Sequence, residues 1–427
     1  MEQRIAILGG ARTPFAKAGG SLAAHSAHDL GAFALRAALD RLGLDPEQID
    51  EVVVGNVAQP IDAANMARVC ALKAGFPERI PAQTVNRNCA SGLQALATAA
   101  ERILAGEAGM VAVAGAESMS NIPLYFDAHA AAQFGKVERS RTVPQRLRAL
   151  AGFRPSDLAP VVGIRKGLTD PVSGMNMGRT AEVLAREFAI TRGAQDAFAL
   201  ESHRKAVAAR EHLGEEIFPV PASPSWDRML AADEGPKATL SASALARMKP
   251  FFDPLAGTVT VGNACPVTDG AAALVVCSEE MVRRLGKEPL GYLTHWAWAG
   301  LSPSRMGLGP VFATHRLLGA SGLSLEDFDR VELNEAFAAQ VLACLAAFDS
   351  DDFARRELGR PARLGAIDPT RLNVNGGAIA LGHPVGATGA RLVLTLLHDL
   401  RRRGLRRGLA TLCIGGGQGA AFALESA

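Results

Sequence analysis

Aromatic residues are scarce in this 427-residue sequence, at 5% of the total, so its core must be built largely from small aliphatic side chains. Excess charge of one sign is also missing: 45 Lys and Arg oppose 43 Asp and Glu, for a net charge of +2. A chain this close to neutral lacks the electrostatic signature of nucleic-acid binding, and we predict no nucleic-acid partner. No uncharged apolar run reaches the ~18 residues of a membrane-spanning helix, so we expect a soluble protein.

Cysteines are few and scattered, at positions 70, 89, 265, 277, 344 and 413. No two form a CxxC pair and no neighbouring histidine completes a zinc spacing, so the sequence predicts no metal site. Residues 1–12 are typical of a first strand and turn, and they lack the hydrophobic core of a signal peptide. Separated thiols without a leader favour a reducing cytoplasm over a disulfide framework.

Glycine and apolar residues are plentiful instead, with 44 glycines and 48% apolar residues. A chain of this length and composition can fill the cores of two or three domains. So many glycines predict that backbones approach each other closely inside the fold.

Four short segments from the first part of the chain recur in the same order in the second part. The pairs are 43–52 with 322–331, 84–86 with 373–375, 111–115 with 411–415, and 269–274 with 418–423. Each segment is typical of a buried strand or of a junction between helix and strand. The shared order predicts two copies of one α/β unit, built from alternating strands and helices.

The two copies differ before their last strand. Gly415 and Gly419 nearly adjoin in the second copy, whereas their counterparts Gly115 and Gly270 are separated by the whole of residues 116–269. A segment the size of a small domain is therefore inserted into the first copy.

We accordingly predict three units. Residues 1–120, completed by 265–287, form the N-terminal half; residues 288–427 form the C-terminal half; residues 121–264 form an inserted loop domain that covers them. Inside the insertion, the patterns predict an irregular basic stretch at 121–168, helix at 178–212 and a proline-rich loop at 219–240.

Cys89 lies between a strand-like approach at Thr84 and Val85 and an amphipathic helix. The amide groups and dipole of a helix N-terminus favour a thiolate, so we expect a lowered pKa for Cys89 and a nucleophilic role. The alternative is a buried structural cysteine.

The corresponding passage of the second copy, residues 373–400, is rich in glycine and places His383 between Gly382 and Pro384, just before a helix. An imidazole held in such a turn can serve as the general base for a thiol. The alternative is a purely structural histidine.

Cys413 ends a predicted strand and precedes the glycine-rich turn 415–419, whose backbone amides can bind an oxyanion. A dinucleotide-binding loop is the rival interpretation. We reject it because the spacing is not G-x-G-x-x-G and a strand follows the turn. Asn334 stands between another strand and a helix, where its structural role would be that of an N-cap.

Together these passages resemble the thiolase family, from R-T-P-F at 12–15 to the final G-G-G-Q-G-A-A. The matching motifs are N-C-A-S-G (88–92), A-E-S-M-S-N (116–121), N-E-A-F-A-A-Q (334–340), G-G-A-I-A-L-G-H-P-V-G-A-T-G-A-R (376–391) and C-I-G-G-G-Q-G (413–419). The resemblance implies an α/β class fold: the family's duplicated five-layer α-β-α-β-α arrangement with an inserted loop domain.

The resemblance also implies site roles. Cys89 would be the acylated nucleophile, His383 its base, and Cys413 the acid/base acting on the acetyl-CoA methyl carbon. Asn334, through a held water, would join His383 in one oxyanion hole. The backbone amides of Cys89 and Gly415 would form the other.

The implied reaction is CoA-dependent cleavage of a 3-ketoacyl-CoA, or its reverse, with CoA as co-substrate and no permanently bound cofactor, in a homodimer or homotetramer. A short-chain acetyl-CoA acetyltransferase is the nearest alternative. A decarboxylating ketoacyl synthase would need a histidine in place of Asn334 or Cys413. A non-catalytic lipid-binding homologue is disfavoured by the intact set of Cys89, His383 and Cys413.

Several residues depart from the common pattern of the family. Cys265 stands where many members have a serine against the pantetheine arm of CoA, and Asn176 stands where short-chain members have a histidine. Cys265 and Asn176 are candidates for contact with CoA, and Arg247 and Lys249 are candidates for contact with a CoA phosphate. Residues 139–169 resemble the loop of trifunctional-enzyme β-subunits, and together with Asn176 they favour substrates longer than four carbons.

The segment 136–166 holds eight basic residues against two acidic ones, a net charge of +6. A solvated face is one interpretation. The others are contacts with CoA phosphates, with an anionic membrane surface or with an acidic partner subunit of fatty-acid oxidation.

Overall fold

A computed structural model describes residues 4–427, so residues 1–3 of the predicted first strand and turn lie outside the described residues. The strands are β1 (Ile5–Arg12), β2 (Ala16–Lys17), β3 (Glu51–Gly55), β4 (Ala82–Val85), β5 (Met110–Glu117), β6 (Leu124–Tyr125), β7 (Val161–Val162), β8 (Val220–Pro221), β9 (Met229–Leu230), β10 (Thr268–Ser278), β11 (Gly291–Gly300), β12 (Arg330–Leu333), β13 (Arg407–Ile414) and β14 (Gln418–Ser426). The helices are α1 (Ala27–Leu42), α2 (Met66–Lys73), α3 (Ser91–Leu104), α4 (Ala128–Arg139), α5 (Val143–Leu150), α6 (Gly163–Gly167), α7 (Met177–Glu187), α8 (Arg192–Ala208), α9 (Arg210–Gly214), α10 (Ala242–Ala246), α11 (Glu279–Leu285), α12 (Gly309–Ser321), α13 (Ala338–Phe348), α14 (Asp351–Glu357), α15 (Ala378–Leu381) and α16 (Thr388–Arg403).

The order of strands in the main sheet repeats. Neighbours run β1-β10-β5-β3-β4 in the first part of the chain and β11-β14-β13-β12 in the second, and Leu372 extends the second series by a parallel bridge to Val331. In each series the first strand of the copy pairs with its last strand, β1 with β10 and β11 with β14. The remaining strands then follow in the same order, β5 and β3 in the first copy and β13 and β12 in the second. The duplication predicted from the short repeats is therefore confirmed by the topology. Antiparallel pairing of β1 with β11, Ile5 opposite Leu293, joins the two copies.

Helices α3 and α16 lie in the middle of the molecule, against each other and against strands of both copies. Side chains alternate across β5: Val111 and Val113 pack in the central cluster with α3, while Ala112 and Ala114 pack on the opposite face with α1. Helix α12 covers the outer face of β11, β13 and β14. The layers therefore run helix, strand, helix, strand, helix.

The start of α3 meets the start of α16 with no room for a side chain on either. A Cβ on Gly92 would lie 2.7 Å from the backbone nitrogen of Ala390, and one on Gly389 would lie 2.4 Å from the backbone nitrogen of Leu93. Glycine is required at both positions because any larger residue would separate the helices.

The segment between β5 and β10 holds α4 to α10, and its first part is more regular than its composition predicts. The prediction of an irregular stretch at 121–168 is wrong, because α4 and α5 form a helical hairpin there. Asp127 and Thr142 cap the two helices by accepting hydrogen bonds from backbone N–H groups of their first turns.

The helix predicted at 178–212 is divided among three helices, α7, α8 and the start of α9. α7 ends at Glu187, Ala189 has a left-handed backbone (φ 51°), and Thr191 caps the start of α8. The proline-rich region 219–240 is mostly loop as expected, with only the short strands β8 and β9.

The inserted segment between β5 and β10 is called the excursion below. A buried arginine connects it to both copies. Arg12, at the end of β1, donates to Glu216 at 2.6 Å and to both oxygens of Asp233 at 2.7 and 2.8 Å. Glu216 also accepts from the hydroxyl of Thr395 in α16 at 2.9 Å. Within residues 4–427, no helix combines the length and the apolar composition required to cross a bilayer.

The helix contact can be tested by adding one methyl group. We expect Gly389→Ala to lower the free energy of unfolding in urea by about 1–3 kcal/mol or more, because the methyl group would overlap the backbone of Leu93. The matched control is Gly319→Ala in α12, where no heavy atom lies within 4 Å of the new Cβ. That change should raise the stability by about 0.5–1 kcal/mol. Equal effects of the two substitutions would contradict the packing assigned to α3 and α16.

Candidate active site

A cavity of about 750 Å³ opens between the two copies and the excursion. Cys89 reaches it from the first copy, whereas His383, Cys413 and Gly415 reach it from the second. The structure therefore brings together residues that lie far apart in the sequence: Cys89 precedes α3, His383 lies between α15 and α16, and Cys413 and Gly415 lie where β13 turns into β14.

Cys89 lies in the tight turn before α3. Asn88 has a left-handed backbone (φ 45°), and the amide of Ser91 donates to the carbonyl of Asn88 at 2.9 Å, which closes the turn. The side-chain amide of Asn88 donates to the carbonyl of Gly415 at 2.8 Å, so it joins this turn to the glycine-rich turn of the second copy. The nucleophile candidate is thereby held by both copies.

The expected lowering of the Cys89 pKa is wrong. Burial raises the pKa of Cys89 above its ordinary value, although hydrogen bonds from the backbone amides of Gly415 and Cys89 itself act in the opposite direction. The physical reason is that the thiolate must give up water in a largely closed site, and two amide dipoles do not compensate for that loss. The resting Cys89 is a protonated thiol at neutral pH, so its reaction needs a base.

His383 has the properties of such a base. Burial, aided by the charge of Arg391, lowers its pKa to about 4, so the imidazole is neutral at pH 7. Its Nδ1 lies 2.6 Å from the hydroxyl of Thr388, and that hydroxyl donates its one hydrogen to the carbonyl of Pro384 at 3.0 Å. Thr388 must therefore accept from Nδ1–H, which leaves the lone pair on Nε2. Within the described chain, Nε2 has no hydrogen-bond partner.

Cys413 is buried next to the end of β13, directly before the turn that joins β13 to β14. Burial raises the pKa of its thiol well above the ordinary value, and the nearby charge of Cys89 would raise it further. Cys413 therefore holds its proton firmly at rest. Gly416 and Gly417 of the turn have left-handed backbones (φ 87° and 82°), a conformation typical of glycine, and Gly416 joins Cys413 in the cavity lining.

Asn334 is not the N-cap of a helix, because α13 begins only at Ala338 and the residue in the cap position is Phe337. Its backbone amide donates to the carbonyl of Thr411 at 3.0 Å, two residues before Cys413. Its side chain is buried, and neither its oxygen nor its nitrogen finds a hydrogen-bond partner among the described residues. A buried unpaired amide is costly and is typical of a site that holds a water or a ligand.

The weaker CoA-binding candidates divide into two groups. Cys265 lines the cavity, and burial raises the pKa of its thiol to about 12. The other three are outside the lining: Asn176 caps α7 by accepting from the amide of Gly178 at 2.9 Å, while Arg247 and Lys249 are exposed beyond α10.

Some residues that shape the site were not singled out from the sequence. Thr388 sets the tautomer of His383, and its position five residues along the same motif was the available signal. Asn88 precedes Cys89 directly, and only its left-handed backbone in the folded chain explains its role. Met306 and Phe337 supply apolar lining to the cavity, but nothing in their local sequence indicates this.

Comparison with known families agrees with this geometry. The sequence model of the thiolase N-terminal domain matches residues 5–280, and that of the thiolase C-terminal domain matches residues 287–426. The chain is 41% identical over 425 residues to a 3-ketoacyl-CoA thiolase of Pectobacterium atrosepticum, with 99% of this chain and 96% of the relative covered. It is 43% identical over 424 residues to an acetyl-CoA acetyltransferase of Escherichia coli, with 98% of each covered.

Solved structures show the same fold. The Bacillus anthracis acetyl-CoA acetyltransferase superposes with a TM-score of 0.87 at 35% identity, covering 100% of this chain and 99% of that one. Human mitochondrial 3-ketoacyl-CoA thiolase in complex with CoA superposes with a TM-score of 0.85 at 35% identity, covering 100% and 98%. The duplicated five-layer fold expected from the resemblance is confirmed, and the chain belongs to the thiolase family of acyltransferases.

Proposed function

We propose that this chain cleaves 3-ketoacyl-CoA with CoA, giving acetyl-CoA and a shortened acyl-CoA, and that it catalyses the reverse condensation through an acyl group on Cys89. The observation that carries the proposal is the convergence of Cys89, His383 and Cys413 on one cavity. Relatives of both kinds, 3-ketoacyl-CoA thiolases and acetyl-CoA acetyltransferases, support the reaction class.

In the first half-reaction, Nε2 of His383 takes the proton of Cys89 as the sulfur attacks the 3-keto carbon. The resulting oxyanion accepts hydrogen bonds from the backbone amides of Cys89 and Gly415, which already point at the Cys89 sulfur. Cleavage of the bond between C2 and C3 leaves the acyl group on Cys89 and expels acetyl-CoA as an enolate.

The enolate oxygen accepts from protonated His383 and from a water held by Asn334, whose buried amide is otherwise unpaired. Cys413 protonates the enolate carbon, and its raised pKa suits a group that must keep its proton until a strong base forms. CoA then gives its thiol proton to the Cys413 thiolate and attacks the acyl thioester. The released Cys89 sulfur recovers a proton from His383, which restores the starting state.

For chain length, we propose substrates longer than four carbons. The cavity wall is largely apolar, with Met119, Ile122, Ile164 and Leu168 among the lining residues. Ile164 and Lys166 belong to the segment 139–169 that resembles the trifunctional β-subunit loop, and Tyr125 pairs with Val161 of that segment, so the segment contributes to the wall. A short-chain acetyl-CoA acetyltransferase remains the alternative.

CoA is proposed as a co-substrate that enters along the excursion, with residues 121–264 acting as the covering unit between the N-terminal half (1–120 and 265–287) and the C-terminal half (288–427). Cys265 faces the same cavity and Lys166 adds a cation to its lining. We propose a homodimer or homotetramer working in the cytoplasm, and the six unpaired cysteines support a reducing compartment.

The hairpin of α4 and α5 is proposed to dock on an anionic membrane surface rather than on an acidic partner subunit. One face of α5 is apolar and open to solvent: Val143, Leu147 and Leu150 are 72%, 62% and 49% exposed. Arg146 and Arg148 on the same helix are exposed as well. Exposed apolar side chains spaced by about one turn and flanked by cations are typical of helices that lie in the interface of anionic lipids.

The two catalytic cysteines should fail at different steps. Cys89→Ala should abolish cleavage and condensation, because no acyl-enzyme can form. Cys413→Ala should still take an acyl group on Cys89 from a simple acyl-CoA, seen as one acyl mass on the Cys89 peptide. It should lose the exchange of acetyl-CoA methyl protons with deuterium, because that step needs the Cys413 thiol. A label on Cys413 or Cys265 in the wild type, or normal exchange in Cys413→Ala, would contradict these roles.

The chain-length proposal predicts that kcat/KM rises along a series of 3-ketoacyl-CoAs from four carbons upward. Each methylene buried in an apolar wall contributes up to ~0.8 kcal/mol, so affinity should rise several-fold per two carbons. A maximum at acetoacetyl-CoA with a steep fall by six carbons would instead favour the short-chain alternative, because overfilling a short pocket is costly. The thiolase reaction itself would be unaffected by that result.

Membrane docking predicts co-sedimentation with phosphatidylglycerol vesicles that weakens as salt is raised. Each cation near the surface contributes about 1 kcal/mol, so replacing Arg146 and Arg148 by Gln should weaken vesicle binding roughly tenfold or more. Replacing Val143, Leu147 and Leu150 by Ser should weaken it too, and both sets should cleave soluble substrate normally. The membrane proposal would be overturned if the wild-type protein did not co-sediment with these vesicles but formed a stable complex with an acidic subunit.

A further inference from the structure

A buried carboxylate outside the catalytic set connects the two copies beside the cavity. Glu117 ends β5 and is fully buried. It accepts from the backbone amides of Val57 at 3.1 Å, Ala58 at 2.9 Å and Gly386 at 2.9 Å, and from the side-chain amide of Asn56 at 3.0 Å. Four hydrogen bonds from two distant parts of the chain thus end on one carboxylate.

The segments held by Glu117 are walls of the active site. Val57 and Ala58, which follow β3, line the cavity. Gly386 lies in the turn between His383 and Thr388, the residue that sets the tautomer of the base. The carboxylate therefore attaches the turn of the second-copy base to the first copy, which carries Cys89.

The chemistry of the four partners requires a carboxylate at this place. All four are neutral N–H donors, and an ionised carboxylate is the side chain that accepts from all of them without presenting a hydrogen of its own. Burial raises the pKa of Glu117 to about 7, which shows that the charge is costly there although the hydrogen bonds oppose the shift. An apolar residue would fill the space at less cost but would release the three backbone amides.

We propose that Glu117 is a positioning residue that fixes the turn of His383 against the first copy and so sets the imidazole at the distance from Cys89 that proton transfer requires. The role rests on the proposed function of His383 as the base for Cys89. Glu117 acts through Gly386 and is not among the residues that line the cavity. Its charge also raises the pKa of Cys89, so loss of that charge alone would speed the alkylation of Cys89, whereas displacement of the base would slow it.

The test replaces the carboxylate by its amide isostere and follows Cys89 directly. Glu117→Gln turns an NH₂ group toward N–H donors, so the turn should shift. We expect alkylation of Cys89 by iodoacetamide at pH 7, measured by peptide mass, to slow by roughly tenfold or more, because small displacements of a base cost that much. In cleavage assays kcat should fall by the same factor while KM changes little. Glu117→Asp, which keeps the charge on a shorter stem, should lie between Glu117→Gln and the wild type.

The control is Glu182→Gln. Glu182 is another buried carboxylate that accepts from backbone amides, those of Thr258 and Val259, but it lies in the excursion and does not contact the turn of His383. Its amide variant should react at Cys89 at the wild-type rate even if it is equally destabilised on heating. Wild-type alkylation rates in Glu117→Gln, or an equal loss in Glu182→Gln, would overturn the proposal. If Glu117→Gln does not fold, the same comparison is made with Glu117→Asp, in which Cys89 should be alkylated more slowly than in the wild type.

The alkylation assay does not need a thiolase substrate. A wild-type protein that fails to cleave 3-ketoacyl-CoA would refute the proposed function, and the comparison of alkylation rates would still decide whether Glu117 positions the base.

Discussion

The close contact between the starts of α3 and α16 is the constraint on which the active site depends. Both helices begin in the centre of the molecule, and Gly92 and Gly389 let their backbones touch. Each copy presents its functional turn just before its helix, so the contact that buries the helices also brings Cys89 of one copy to His383 of the other. Packing and catalysis are therefore requirements on the same few residues, and a larger side chain at either glycine would affect both.

Burial then determines how the site can work. Burial raises the pKa of the Cys89 thiol and lowers the pKa of the His383 imidazole. At rest the two groups are therefore a neutral pair and not a thiolate–imidazolium pair. In the proposed mechanism charge is created only during attack, and the amides of Cys89 and Gly415 point at the Cys89 sulfur before the attack begins. Such an arrangement avoids the cost of keeping separated charges in a low-dielectric site between turnovers. Within the described chain, Nε2 of His383, which lines the cavity, and the buried side-chain amide of Asn334 also lack protein hydrogen-bond partners.

The sequence predicted the duplication, and it singled out Cys89, His383 and Cys413, which the fold brings to one cavity, because repeats and motifs are local features. It did not predict the raised pKa of Cys89, which depends on how much water the rest of the chain excludes. It missed the hairpin of α4 and α5, where capping by Asp127 and Thr142 outweighs a polar composition. The sequence also did not predict the roles of Thr388 and Glu117. Each role depends on a contact that exists only in the folded chain, that of Thr388 with His383 and that of Glu117 with Gly386.

The topology of the sheet has a consequence for how the protein emerges from the ribosome. β1 is made before every other described strand, yet its two neighbours in the sheet are β10 and β11. Both edges of this apolar strand stay unpaired until residues 268–300 have been synthesised, and the central layer waits longer still for α16. Pairings so distant in sequence form slowly, and exposed strand edges invite aggregation in the meantime. Nascent chains of this protein should therefore depend on chaperones that shield the first copy until α16 has been synthesised.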